Sequence, residues 1–129
     1  MIVRPAREQD VPLLHALLVM NGLDLHGVDY NRFSAPCLVG VVNGEIVGFA
    51  QAALAQPYAI ITELVIARPY QRRGYGVRLL QHMETVLRCA GVTAWVTYSG
   101  GLRTEVHEQI ERFGAQTTGE GRGFVRVLA

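Results

Sequence analysis

Gln71-Arg72-Arg73-Gly74-Tyr75-Gly76 sets two guanidinium groups and two glycines directly before an amphipathic run. That combination suits an anion. The first N–H groups of a helix have no partner within it and carry partial positive charge. Gly74 and Gly76 would let the backbone curl and approach a ligand with no Cβ in the way. Arg72 and Arg73 add formal charge and paired donors. A phosphate or pyrophosphate fits such a place. Two well-known phosphate loops do not match: a Walker loop needs Gly-Lys-Ser/Thr and the chain has no lysine, while a dinucleotide fingerprint needs a third glycine where Leu79 stands. A glycine-rich loop before a helix can also serve only its turn, so the surrounding elements must be read.

Residues 2–6 read as a first strand and 8–22 as a helix. Asp10 can cap that helix, Pro12 is tolerated in its first turn, and Val11, Leu14 and Leu18 share one face. Residues 22–36 read as irregular, or as a short helix near 30–34. "CLVGVV" and "EIVGFAQAAL" flank Asn43-Gly44, the pair a type I′ hairpin turn needs. A third strand at 59–66 completes an antiparallel meander. From 77 to 90 the apolar residues take helical spacing, and Gly91 closes the helix. A strand at 92–98, a helix at 102–115 with Leu102, Val106, Ile110 and Phe113 on one face, and a strand at 123–128 finish the chain. The strand–helix–strand unit from 59 to 98 requires a parallel pair joined by a crossover. One α/β domain over residues 1–129 is expected.

Bulk properties narrow the function. Half of the 129 residues are apolar, enough for a core, and the net charge is +1. Near neutrality is a poor basis for a general polyanion binder, so nucleic acid is not an expected partner. All 12 basic residues are arginine, which we take as genomic composition. Cys37 and Cys89 are too few and too far apart for a disulfide framework or metal site, and both are expected as reduced, buried thiols. The opening "MIVRPAREQD" does not read as a signal peptide, because charge arrives by Arg4, and no apolar run approaches membrane-spanning length. A cytoplasmic location is expected, with no membrane partner.

Between its strand and its helix, the loop resembles motif A of the GNAT N-acetyltransferase superfamily, Q/R-x-x-G-x-G/A, and "ELVIARPYQ" resembles that family's strand and entry turn. The order of elements is also similar to the family's. The resemblance implies a mixed, mostly antiparallel sheet, a β-α-β acetyl-CoA-binding core and a pair of parallel strands that splay apart into a cleft. It implies acetyl-CoA as co-substrate, no metal, a small-molecule or peptide primary amine as acceptor, and room for a homodimer. Backbone N–H groups from Arg73 to Val77, within the loop of Gln71, Arg72, Arg73, Gly74, Tyr75 and Gly76, would hold the pyrophosphate. Leu64, Val65 and Ile66 would pair through their backbone with the pantetheine arm, and an N–H near Val65 would polarise the thioester carbonyl. Glu63, the one acid on that strand, would be the general base, its pKa raised by burial; the plainer alternative is that it points to solvent or binds an arginine. Neither cysteine has a thiolate-stabilising context, so transfer would be direct.

The sequence departs from the family in its last helix. The tyrosine that commonly protonates the leaving thiolate is replaced by Ile110, the asparagine position falls near Thr104, and the terminal phenylalanine is Ala115. Tyr98, Ser99 and His107 are candidates for the acid by position. A thiolate of ordinary pKa, ~8.5, can also leave unassisted, or the protein binds CoA without efficient turnover. The resemblance places the acceptor against "GLDLHGVDYNRF", where Asp24 and Asp29 would attract a cationic amine and His26 or Tyr30 would contact it; a solvated polar loop is the simple alternative.

Overall fold

The computed structural model describes residues 1–20, 36–98, 116–117 and 123–128. Its strands are β1 (Ile2–Pro5), β2 (Cys37–Val42), β3 (Glu45–Ala55), β4 (Tyr58–Ile66), β5 (Ala94–Tyr98), β6 (Gln116–Thr117) and β7 (Gly123–Val127), and its helices are α1 (Val11–Met20) and α2 (Tyr75–Cys89). Short 3-10 turns precede α1 and follow β4. All seven strands form one sheet in the order β1-β2-β3-β4-β5-β7-β6. Five neighbouring pairs run antiparallel, and β4 with β5 is the parallel one. This is the mixed, mostly antiparallel sheet with a β-α-β core that the resemblance implies.

Alternation along the strands divides the core between two faces. Leu64 and Ile66 of β4, Ala50 and Ala52 of β3 and Trp95 of β5 pack with Leu79, Leu80, Met83 and Leu87 of α2. Val65, Phe49 and Val39 pack with Leu14, Leu17 and Leu18 of α1 on the other face. The helical spacing read at 79, 80, 83 and 87 is therefore the buried stripe of α2, and Val86 falls outside it, exposed. Asn43 and Gly44 take positive φ of 50° and 80° between the paired residues Val42 and Glu45, as the hairpin reading requires.

Three expectations change. Asp10 does not cap α1 with its side chain. Its carboxylate instead accepts from the Arg7 N–H at 2.7 Å and pairs with Arg4 at 2.8 Å, tying the preceding turn to β1. Cys89 is exposed, because it falls off the apolar stripe of α2, whereas Cys37 is buried as expected. The two-residue β6 pairs with β7 and was too short to leave a pattern in the sequence. The readings at 22–35 and 102–115 lie outside the described residues.

Candidate active site

Among the described residues the parallel ladder between β4 and β5 runs from Tyr58 opposite Ala94 to Ile61 opposite Thr97. The Thr97 hydroxyl donates to the Ile61 carbonyl at 2.8 Å across the last rung. β4 nevertheless continues to Ile66, still paired to β3 on its other side. Beyond Ile61 no described residue pairs with the β5-facing edge of β4, on the stretch that leads into α2.

A bulge begins at the same point. Gln51 stands opposite Glu63 and Ala52 opposite Ile61, so Thr62 is an extra residue in β4. Such an insertion raises local twist and re-aims the side chains that follow. Ala59 and Ile61 face α2; in strict alternation Glu63 would join them. The extra residue lets Leu64 and Ile66 take the α2 face and sends Glu63, with Val65, to the face of α1. Backbone direction follows from the ladder. The Ala67 N–H donates to Val47 at 2.8 Å. By alternation the backbone groups of Val65 and Glu63 also turn to β3, and those of Leu64 and Ile66 turn to the open edge. Val65's own N–H therefore points into the ladder, and the open-edge N–H groups beside it belong to Leu64 and Ile66.

The turn after β4 is stapled by Gln71, whose Nε2 donates to the Ile66 carbonyl at 2.9 Å. Arg72 and Gly74 both have positive φ, 64° and 80°. A Cβ at Gly74 would meet nothing within 4 Å, so its glycine is needed for the left-handed backbone and not for space. The first helical bond of α2 runs from the Arg78 N–H to the Gly74 carbonyl at 3.1 Å. The N–H groups of Tyr75, Gly76 and Val77 precede that ladder, no side chain caps the end, and no acid lies in the first turn. Positive potential at this end is left without local compensation. Arg73 lies over the Tyr70 ring with its guanidinium carbon 5.4 Å from the centroid, and the Tyr70 and Tyr75 rings are 6.5 Å apart. Arg73, over the Tyr70 ring, and Arg72, both exposed, thus flank the helix end.

Glu63 is half-buried, and burial pushes its carboxyl up to about 7. Among the described residues no ion pair or side-chain hydrogen bond reaches it. Among the described residues no arginine pairs with it. Cys37 is on the same face, with its thiol pushed up to about 12 by burial and by Asp10. It is no nucleophile at neutral pH. Cys89 ends the helix whose other end is the glycine loop. Among the described residues no three His, Cys, Asp or Glu side chains gather as metal ligands, and no helix is long and apolar enough to cross a membrane.

The structure therefore brings Glu63, the open edge at Leu64 and Ile66, and the loop from Gln71 to Val77 into one continuous segment. Tyr98 is the last residue of β5, its backbone paired with Gly123. Asp24, His26, Asp29, Tyr30, Ser99, Thr104, His107, Ile110 and Ala115 lie outside the described residues. Sequence reasoning missed Gln51, opposite Glu63, although a lone amide inside the apolar run "VGFAQAALA" was a signal. It also missed the buried Glu84, which accepts from Trp95 Nε1 at 2.7 Å and from Arg126 Nε at 2.8 Å.

The model of the acetyltransferase (GNAT) family matches residues 15–114. A comparison with curated proteins finds no match. Among solved structures, a ribosomal-protein-alanine N-acetyltransferase from Brucella melitensis superposes with a TM-score of 0.79 at 19% identity, over 99% of this chain and 100% of that one. The PaiA N-acetyltransferase from Thermoplasma acidophilum, in complex with coenzyme A, gives 0.83 at 14% identity, over 98% of each chain. The N-acetylglutamate synthase from Neisseria gonorrhoeae, complexed with coenzyme A and L-arginine, gives 0.82 at 25% identity, over 98% of this chain but 33% of that longer one. These likenesses carry the fold, and the family model, spanning the meander, the glycine–arginine loop and α2, carries the rest: the chain belongs to the acetyltransferase (GNAT) family.

Proposed function

We propose that this protein transfers an acetyl group from acetyl-CoA directly to a primary amine, on a small molecule or a peptide. The observation that carries this reading is the meeting of the open edge of β4 with the uncapped start of α2. An extended arm with amide groups can pair with Leu64 and Ile66 as a missing strand would. A pyrophosphate at its end can take the free N–H groups of Tyr75, Gly76 and Val77, with Arg72 and Arg73 beside it. Acetyl-CoA has both parts in that order.

The thioester then lies beside the bulge. Glu63, with a carboxyl titrating near 7, takes the proton that an ammonium must lose before attack. An open-edge N–H of β4 stabilises the oxyanion, and the thiolate leaves, with Tyr98 as a candidate acid at the end of β5. Asp24, His26, Asp29 and Tyr30 belong to the acceptor side in this reading. Two similar structures carry names for acetylation of a ribosomal-protein alanine and formation of N-acetylglutamate, which supports an amino group as acceptor. A second reading, a CoA-binding module without turnover, is favoured by Ile110 at the position of the family's tyrosine. A cytoplasmic homodimer completes the proposal, and light scattering tests the dimer.

Calorimetry with acetyl-CoA tests the cofactor. Binding at submillimolar ligand that is lost in Gly74→Asp with Arg72→Glu is expected, and no binding, or binding unchanged by both substitutions, sinks either reading. Release of free CoA with L-glutamate, an alanine-initiated peptide and spermidine then separates enzyme from binder.

A further inference from the structure

Glu63 has a neighbour with no assigned task. Gln51 of β3 is its direct cross-strand partner, and both side chains are on the face of α1. Paired residues of this kind hold their Cβ atoms about 5 Å apart. Gln51 is an amide in the middle of an apolar strand, only 9% exposed. A buried side-chain amide is ordinarily hydrogen-bonded. Gln51 has no such bond among the described residues, to Glu63 or to any other group. Two polar heads from facing positions, neither bonded to the other, leave room for one bridging group.

We propose that Gln51 is a positioning residue for acetyl transfer: its side-chain amide and the Glu63 carboxylate hold between them the single water through which the acceptor ammonium gives up its proton. This rests on the function proposed above. The amide N–H occupies one lone pair of the water, and one O–H of the water points at Glu63. The remaining lone pair faces the incoming ammonium, giving the water three partners, the usual number for a buried site. The ammonium proton passes to the water as the water's own proton passes to Glu63. The neutral amine then forms the new C–N bond while the C–S bond breaks, and the second amine proton passes to the departing CoA sulfur, giving the neutral N-acetyl product and CoA thiol.

The bulge explains why this pair exists. It puts Glu63 in register with Gln51 and on its face. Among the described residues the other titratable groups on this side are Cys37 of β2, Asp10, which is committed to Arg4, and His15 of α1.

The test compares wild type, Gln51→Leu and Glu63→Gln, using the amine panel above and free CoA as readout. Gln51→Leu keeps the volume and removes the amide. It is expected to lower kcat by roughly tenfold, to leave the KM for acetyl-CoA and the melting temperature within experimental scatter, and to move the acidic limb of the kcat/KM profile to higher pH. Gln51→Glu, which can still hold a water but adds a charge beside Glu63, is expected to move that limb further. Carboxyl NMR of Glu63 without any substrate should follow the same order. If Glu63→Gln is slow but Gln51→Leu matches wild type in kcat and in its profile, the Gln51 role is overturned and the base role stands. If wild type releases no CoA with any of the amines, or Glu63→Gln keeps the wild-type profile, the base reading fails and this proposal fails with it.

Discussion

Two glutamates on opposite sides of the sheet sit in different environments. Glu84 of α2 is nearly sealed, 3% exposed, and is held by Trp95 of β5 and Arg126 of β7, with Arg88 at 3.7 Å. Glu63 of β4 is less buried and has no such partner among the described residues. The more deeply buried carboxylate is the committed one. Its donors replace the water it lost, and the group becomes a clamp between α2 and the far half of the sheet. Glu63 lost part of its water and received no donor in exchange among the described residues, so burial pushes its carboxyl up to about 7. Burial without a donor raises the proton affinity of a carboxyl.

The contrast can be broken most forcefully at Glu84. Glu84→Leu strands the Arg126 guanidinium and should cost about 3 kcal/mol of stability by urea titration, while the rate per folded molecule stays within a few-fold of wild type. A folded Glu84→Leu protein that had lost its rate a hundredfold would show that the two carboxylates do not divide their roles this way. Glu63→Gln should do the reverse, lowering kcat/KM at pH 7 by about 100-fold with no loss of stability in the same titration. Trp95→Phe removes one donor from Glu84 and leaves Arg126 in place, so a smaller loss, about 2 kcal/mol, is expected by thermal or urea denaturation.

The smallest effect is the pH dependence of stability. Glu63 titrates at about 7 in the folded chain against 4.5 for an unperturbed glutamate, so between those values the folded state holds a proton that the unfolded chain releases. Its contribution to stability must fall as pH rises through that window. Asp10 has the opposite sign. Its hydrogen bond to Arg4 lowers its pKa, so its contribution is present above its unfolded value of 3.8 and is lost as pH falls through the depressed folded one. Melting temperatures from pH 3 to pH 8 should rise from the acid end and then decline toward neutrality, and Glu63→Gln should lose the decline but keep the rise.

Much of this arrangement was legible in local residue types. Asn43-Gly44 specifies its hairpin because few other residues tolerate two consecutive positive φ angles. The stripe at 79, 80, 83 and 87 specifies α2, because a helix must turn its apolar side to the sheet. The glycine–arginine loop offers unpaired N–H groups because those at a helix start lack partners within the helix whatever the remainder of the chain does. What the sequence could not state was which way things face. Asp10 had the right type and place for a helix cap, but the nearby Arg4 of β1 drew its carboxylate back across the turn. Period-two alternation aligns Glu63 with Ile61, on the face covered by α2. Only the pairing of β4 with β3 introduces the extra residue at Thr62, turning Glu63 to the other face and opposite Gln51. A bulge is a property of two strands in register, and the strands that form it are distinct stretches of sequence brought together by the fold. The residue types were therefore set by the sequence alone, and the direction in which Glu63 points, the neighbour it faces and its want of a partner among the described residues were set by tertiary structure.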